Sequence, residues 1–435
     1  MVLMSENNIK RYALCGVSAR GIHMFLQPMY RTFPAYTQPV ALLDIDPLRF
    51  AVCKGETPEA ADLPEYRPEE FEKMLEETRP DVIIAAGVDR THVDYILKAL
   101  AHDLDVITEK PMATTGEDCR KIVEAEKRSK GKVICTFNFR YPPVHRRMRE
   151  LILEDKIGRV TNIDLTWYVD TKHGSSYFNR WNRMRENSGG LSIHKSSHHF
   201  DLVNWLIDGV PEAVHAFGGL YYYGPESPYN PEARDGRLCE SCTDRLKCVY
   251  FRRWSTRQNA IEVPDDHIGS FTVGKKNQYT DYRPDRCIFD SEINIEDTYI
   301  ANVRYKGGAL LNYSCNFSLP YEGYRLAING TKGRLETQEW HAPARTPFPV
   351  DDRQYVDYFP LFGSRERYWA VPEMGGHNGG DPLIREDLFI EPDPDRPYKM
   401  LSGAVDAWHS VAIGEAVWQS IKEEKIIKLD FSTRD

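Results

Sequence analysis

"RYALCGVSARG", residues 11–21, runs an apolar stretch into a glycine-bearing turn. Tyr12 to Cys15 is short and apolar enough for a buried strand. Gly16, Ser18 and Gly21 follow at the positions of a G-x-G-x-x-G fingerprint. That pattern suits a strand that turns tightly into a helix whose N–H groups face a dinucleotide pyrophosphate. Ser18 stands at the middle position, the one that permits close backbone approach. Alone, the motif fits an ordinary surface turn equally well, so the chain around it decides.

Downstream, "PVALLDI", "DVIIAAG", "DVITEKP" and "VICTFNF" have the length and aliphatic content of buried strands. "PEEFEKMLEETRP", "THVDYILKALAHD" and "TTGEDCRKIVEAEKRSKG" alternate with them and carry helical periodicity. Nearly continuous apolar strands joined by helices predict an α/β unit, a parallel sheet covered on both faces, over residues 1–140. Asp44 closes the second strand, where a carboxylate takes ribose hydroxyls and repels a 2′-phosphate. The expected cofactor is therefore NAD rather than NADP.

Residues 141–435 read as a second, α+β domain. "RVTNIDLTWYVD" and "AVHAFGGLYYY" predict strands, and four more between Asp297 and Thr337 predict an antiparallel meander. "SGAVDAWHSVAIGEAVWQSIKEEK" predicts a closing helix. Residues 224–292 and 339–400 read as irregular insertions, which commonly cover a site or an interface. The 435 residues carry a net charge of −9, with 41% hydrophobic and 28% charged residues. No basic face for nucleic acid and no membrane-length apolar run is visible. The first residues lack a secretory or transit pattern, and nine cysteines are an odd count. Both point to a cytoplasmic protein with reduced thiols.

"GGLSIHKSSHHFD", Gly189–Asp201, gathers three histidines, a lysine and an aspartate. As a helix it puts His194, His198, Asp201 and Trp205 on one stripe, opposite a broad apolar face. A shared metal would need a third ligand, and none is evident nearby. Lys110 follows the fifth strand, at the edge where ligands bind in parallel sheets, and its ammonium can steady a developing alkoxide. "FNFRYPP" adds Asn138, Arg140 and Tyr141 near the same crevice. "MGGHNGGD" sets His377 and Asp381 in a permissive glycine loop. Cys239, Cys242 and Cys248 have spacing suited to a structural zinc, with Cys287 or His267 as a fourth ligand, and equally to three reduced thiols.

The order of "PDVIIAAGVDRTHVDYILKAL", the triplet Glu109-Lys110-Pro111, "FNFRY" and "GGLSIHKSSHHFDLVNWLIDG" resembles the Gfo/Idh/MocA family of dinucleotide-dependent oxidoreductases. That family includes glucose–fructose oxidoreductase and inositol dehydrogenase. The resemblance spans about residues 9 to 425 and implies a Rossmann domain followed by an open-faced, largely antiparallel α/β domain, with the active site between them. It implies that Lys110 lies near nicotinamide and substrate and that His198 is the catalytic histidine. The family pattern has an aspartate four residues before that histidine; here His194 stands there, followed by Lys195. Asp201, one turn on, is the expected replacement carboxylate for His198.

The expected cofactor contacts are thus Gly16, Ser18, Ala19, Arg20, Gly21, Asp44, His92, Glu109, Lys110 and Asn138. Lys110, His198 and His194 are expected to act in catalysis, and Lys195, Asp201, Arg140, Tyr141 and His377 to touch substrate. The resemblance implies NAD-dependent oxidation or reduction of a carbohydrate or cyclitol by a homo-oligomer associating through the open sheet. Two alternatives stay open: a redox-neutral NAD-dependent glycosidase or lyase that oxidises a ring carbon transiently, and a non-catalytic nucleotide or redox sensor.

Overall fold

In the computed structural model, which describes residues 9–251, 282–341, 346–351, 353–371, 373, 375–376 and 379–433, two sheets are built from different halves of the chain. The first contains β1 (Lys10–Cys15), β2 (Thr37–Leu43), β3 (Glu65–Tyr66), β4 (Val82–Ala85), β5 (Asp105–Thr108) and β6 (Val133–Cys135). These six strands are parallel, in the order β6-β5-β4-β1-β2-β3. Their interior side chains are buried on both faces, as a helix-covered parallel sheet requires. The connecting helices begin on readable caps. Asp46 accepts Leu48 N–H at 3.0 Å ahead of the helix Pro47–Glu56, and Thr115 accepts Asp118 N–H at 3.1 Å ahead of Gly116–Arg128.

The second sheet has nine strands: β7 (Val160–Asp170), β8 (Pro211–Gly219), β9 (Thr298–Tyr305), β10 (Leu310–Leu319), β11 (Glu322–Gly330), β12 (Gly333–His341), β13 (Gln354–Pro360), β14 (Glu366–Ala370) and β16 (Ile427–Lys428). Their order is β14-β13-β12-β11-β7-β10-β9-β8-β16. All pairs are antiparallel except β7 with β10. The expected continuous meander is therefore split. β7 lies between β10 and β11, with Leu319 opposite Asp170 and Gly323 opposite Tyr168, so Pro320 and Tyr321 carry the chain over the end of β7. Alternation in these strands fixes which face is buried and leaves neighbour order undetermined.

Residues 339–400 also depart from the irregular stretch expected. β13 and β14 extend the sheet, and a helix spans Gly380–Phe389.

The chain then returns to the first sheet. β15 (Ser402–Gly403) pairs antiparallel with β6, and the helix Ala404–Glu423 packs on both Gly116–Arg128 and β8. It also presses on the Gly189–Asp201 segment: a Cβ on Gly414 would lie 2.3 Å from the Ser192 carbonyl oxygen. Ser192 Oγ donates to Gly414 O at 2.8 Å. One helix thus fixes the histidine-rich segment against the edge of the first sheet.

Candidate active site

Gly16 ends β1 at φ +92°, and a Cβ there would fall 2.2 Å from Gly87 N. The turn after β1 and the turn after β4 touch backbone to backbone, which only glycine allows. Ser18 ties the two turns together with its hydroxyl, donating to Ala86 O at 2.7 Å and accepting Gly21 N–H at 3.0 Å. Ala19 is exposed beside it. Asp44 accepts Val17 N–H at 2.7 Å on one oxygen and Asp46 N–H at 2.9 Å on the other. A carboxylate has about four acceptor positions, so capacity is left for ribose hydroxyls. Burial pushes the Asp44 carboxyl up, with these backbone donors opposing.

This turn, its glycine contact and the carboxylate at the end of β2 fit a dinucleotide. Gly16→Ala is expected to weaken NADH binding at least about tenfold, read by fluorescence titration, because strain and overlap act together.

Arg20 bridges the two halves of the chain. It donates to Glu109 at 2.8 Å and to Asp381 at 2.9 and 3.1 Å, and Asn138 donates to Asp381 at 2.7 Å. Asp381, at the start of Gly380–Phe389, therefore docks the second domain onto expected cofactor residues. His377 lies outside the described residues. His92 is buried with Nδ1 2.9 Å from the Pro111 carbonyl, so it braces the turn carrying Lys110. Burial lowers its pKa.

Lys110, two residues past β5, donates from Nζ to the His194 carbonyl at 2.8 Å. Its ammonium is pushed down to about 8, mainly by burial, with Asp89 opposing and Lys195 adding to the fall. His194 has both ring nitrogens engaged: Nδ1 lies 2.5 Å from Asp89 Oδ2, and Asn182 Nδ2 lies 3.1 Å from Nε2. An amide donor at Nε2 leaves the ring proton on Nδ1, facing Asp89. Burial, then Lys110, Arg180 and Lys195, holds His194 well below its ordinary value, and burial holds the Asp89 carboxyl well above its own.

The three histidines of the opening segment have separate surroundings. The helix breaks at Lys195–Ser196, between Leu191–His194 and Ser197–Ile207, so no continuous stripe forms. His198 is 4% exposed, its ring tilted against Phe139 at 4.7 Å and edge-on to Phe137 at 5.6 Å. His199 is a core residue, stacked on Trp167 at 3.8 Å with Nδ1 2.7 Å from Tyr313 Oη. Lys195 is 7% exposed, with Nζ 5.6 and 5.7 Å from the Phe139 and Trp167 ring centres.

Asp201 differs from its expected place beside His198. It takes a bidentate pair from buried Arg140, at 2.7 and 2.5 Å. Burial raises its pKa to about 6, against the pull of Arg140. Tyr141 is 1% exposed and donates to Asp387 at 2.8 Å. Arg140, Asp201 and Tyr141 thus direct their polar atoms into the protein. Asp201→Asn removes the bidentate partner of a buried guanidinium and leaves it the Asp406 carboxylate at 3.5 Å, so it is expected to cost about 3 kcal/mol, measured by denaturant unfolding.

Cys239, Cys242, Cys248 and Cys287 line one cavity of about 20 Å³, beside the Leu238–Arg286 bridge. Of the two readings of these cysteines, a zinc site is not shown: among the described residues no three His, Cys, Asp or Glu side chains are grouped to hold a metal ion. Burial pushes the Cys239 and Cys287 thiols up, Cys287 to about 11. His267 lies outside the described residues.

Sequence reasoning missed several residues that shape the site. Asp89 follows β4 and Asn182 lies in the short 3-10 turn Trp181–Arg183, and together they fix His194. His173 joins Glu322 at 2.8 Å to Tyr177 Oη at 2.7 Å. Asp89 carried one usable signal, its place just past the C-terminal end of a parallel strand.

Among the described residues no helix is long and apolar enough to cross a membrane. Residues 10–137 match the model of an oxidoreductase family with an NAD-binding Rossmann fold, and residues 149–429 match that family's C-terminal alpha/beta domain. YteT of Bacillus subtilis, named as an oxidoreductase, is 52% identical over 420 residues, 96% of this chain and 97% of its own. The solved structure of levoglucosan dehydrogenase with NADH has a TM-score of 0.66 at 16% identity, covering 97% of this chain and 99% of its own. The WlbA dehydrogenase of Bordetella pertussis, solved with NADH and UDP-GlcNAcA, has a TM-score of 0.62 at 16% identity, covering 98% of this chain and 100% of its own. The chain belongs to the Gfo/Idh/MocA oxidoreductase family.

Proposed function

We propose that the protein is an NAD-dependent oxidoreductase acting on a hydroxyl-bearing carbon of a sugar or cyclitol. The observation that carries this reading is the 2.8 Å hydrogen bond from Lys110 Nζ to His194 O. It ties the ammonium beyond β5 to the segment leading into the helix that bears His198. The turn from Gly16 to Gly21 would hold the pyrophosphate, and Asp44 the ribose hydroxyls. NAD supplies the two-electron acceptor when bound. The hydroxyl proton passes to His198 as the C–H bond gives up its electron pair. Lys110 offsets the negative charge that develops on oxygen. His92 and the Asp89–His194–Asn182 chain act as positioning residues for Lys110.

NADH in the solved levoglucosan dehydrogenase and WlbA complexes supports NAD as the cofactor. Exposed Phe217 and Ile300, paired across β8 and β9, support a homo-oligomer that covers this sheet face. Nine unpaired cysteines fit work in a reducing cytoplasm.

The test incubates the purified protein with NAD and a panel of sugars, cyclitols and glycosides, following NADH and released aglycone together. NADH formed with a free sugar or cyclitol is expected. Aglycone without NADH would replace this reading with redox-neutral glycoside cleavage, and NADH binding without any turnover would replace it with a sensor.

A further inference from the structure

Lys195 is a buried lysine whose counter-charge, Glu322, acts on it without a direct ion pair. The residue is 7% exposed, and its ammonium makes no hydrogen bond or ion pair among the described residues. Its near neighbours are the faces of Phe139 and Trp167. Ring faces recover only part of the hydration an ammonium loses on burial. The surrounding carboxylates are committed elsewhere. Glu322 is on His173 at 2.8 Å, Asp89 on His194 at 2.5 Å, and Glu109 on Arg20 at 2.8 Å. Lys110 and Arg180 add to the positive potential around His194.

We propose that the substrate is an acidic sugar, a uronic or aldonic acid, whose carboxylate pairs with the Lys195 ammonium while its reacting hydroxyl meets Lys110. A single ammonium matches the single charge of a carboxylate. A phosphate ester, with nearly two charges, would call for more donors. The assignment rests on the oxidoreductase reading above and narrows its substrate class.

Matched probes test it: glucose against glucuronate and gluconate, and galactose against galacturonate, each with NAD and with NADH formation followed. The acid of at least one pair is expected to exceed its neutral partner in kcat/KM by about 10- to 100-fold, the range of one charge-assisted hydrogen bond. Lys195→Gln is expected to erase that ratio and Lys195→Arg to restore part of it, with NADH fluorescence titration showing that each variant is folded. Neutral sugars used as well as their acids, or a ratio that survives Lys195→Gln, would overturn the carboxylate assignment while leaving the oxidoreductase reading intact. No NADH from any sugar, acidic or neutral, would bring down both.

Discussion

Lys110→Met is expected to lower kcat by about 100- to 1,000-fold, the usual loss when one preorganised donor to a developing oxyanion is removed. Methionine keeps the length and packing of the side chain and deletes the charge. The ammonium is held by the His194 carbonyl at 2.8 Å, where the surrounding protein desolvates it. In such a setting its charge acts with less screening than in bulk water. The variant should keep its fold, because the lost hydrogen bond reaches one backbone carbonyl.

The same group sets a pH limb. A lysine pushed down to about 8 is an ammonium below that pH and a neutral amine above it. The wild-type kcat/KM is therefore expected to fall as pH rises through about 8, and the Lys110→Met profile to lose that limb. A limb kept by the variant would assign the titration to another group.

The second large effect belongs to His198. Its ring sits between Phe137 and Phe139 near the start of Ser197–Ile207, so its direction is fixed before substrate arrives. His198→Gln keeps a polar side chain of similar reach but has no group that takes a proton. The expected loss in kcat/KM is about 100- to 10,000-fold, the range for a general base. On the proposal that Lys110 and His198 serve the same oxygen, Lys110→Met with His198→Gln is expected to lose little more than the worse single variant. Full additivity would mean that the two groups act at different steps.

The legible parts of the site are those with a repeating backbone context. Gly16, Asp44 and Lys110 stand at the ends of β1, β2 and β5, and strand periodicity locates such ends. Local helical spacing was less informative. It put Asp201 beside His198, whereas the carboxylate that serves this segment is Asp89, which meets His194 from 105 positions away. Asp201 instead closes a bidentate pair with Arg140, 61 positions away. Pairings of that range depend on how two sheets are brought together, and no periodic pattern records them. The place of β7 between β10 and β11 was hidden for the same reason, since alternation is identical whichever strand lies beside it.

The central claim is convergence of residues 110 and 198 on one reacting oxygen. A crystal structure of the NADH complex with a substrate found in the sugar panel tests it most directly. The expected result has Lys110 Nζ and a ring nitrogen of His198 each within about 3.2 Å of the same ligand hydroxyl or carbonyl oxygen. A ligand oxygen reached by only one of the two, with the other facing bulk solvent or protein, would contradict the account.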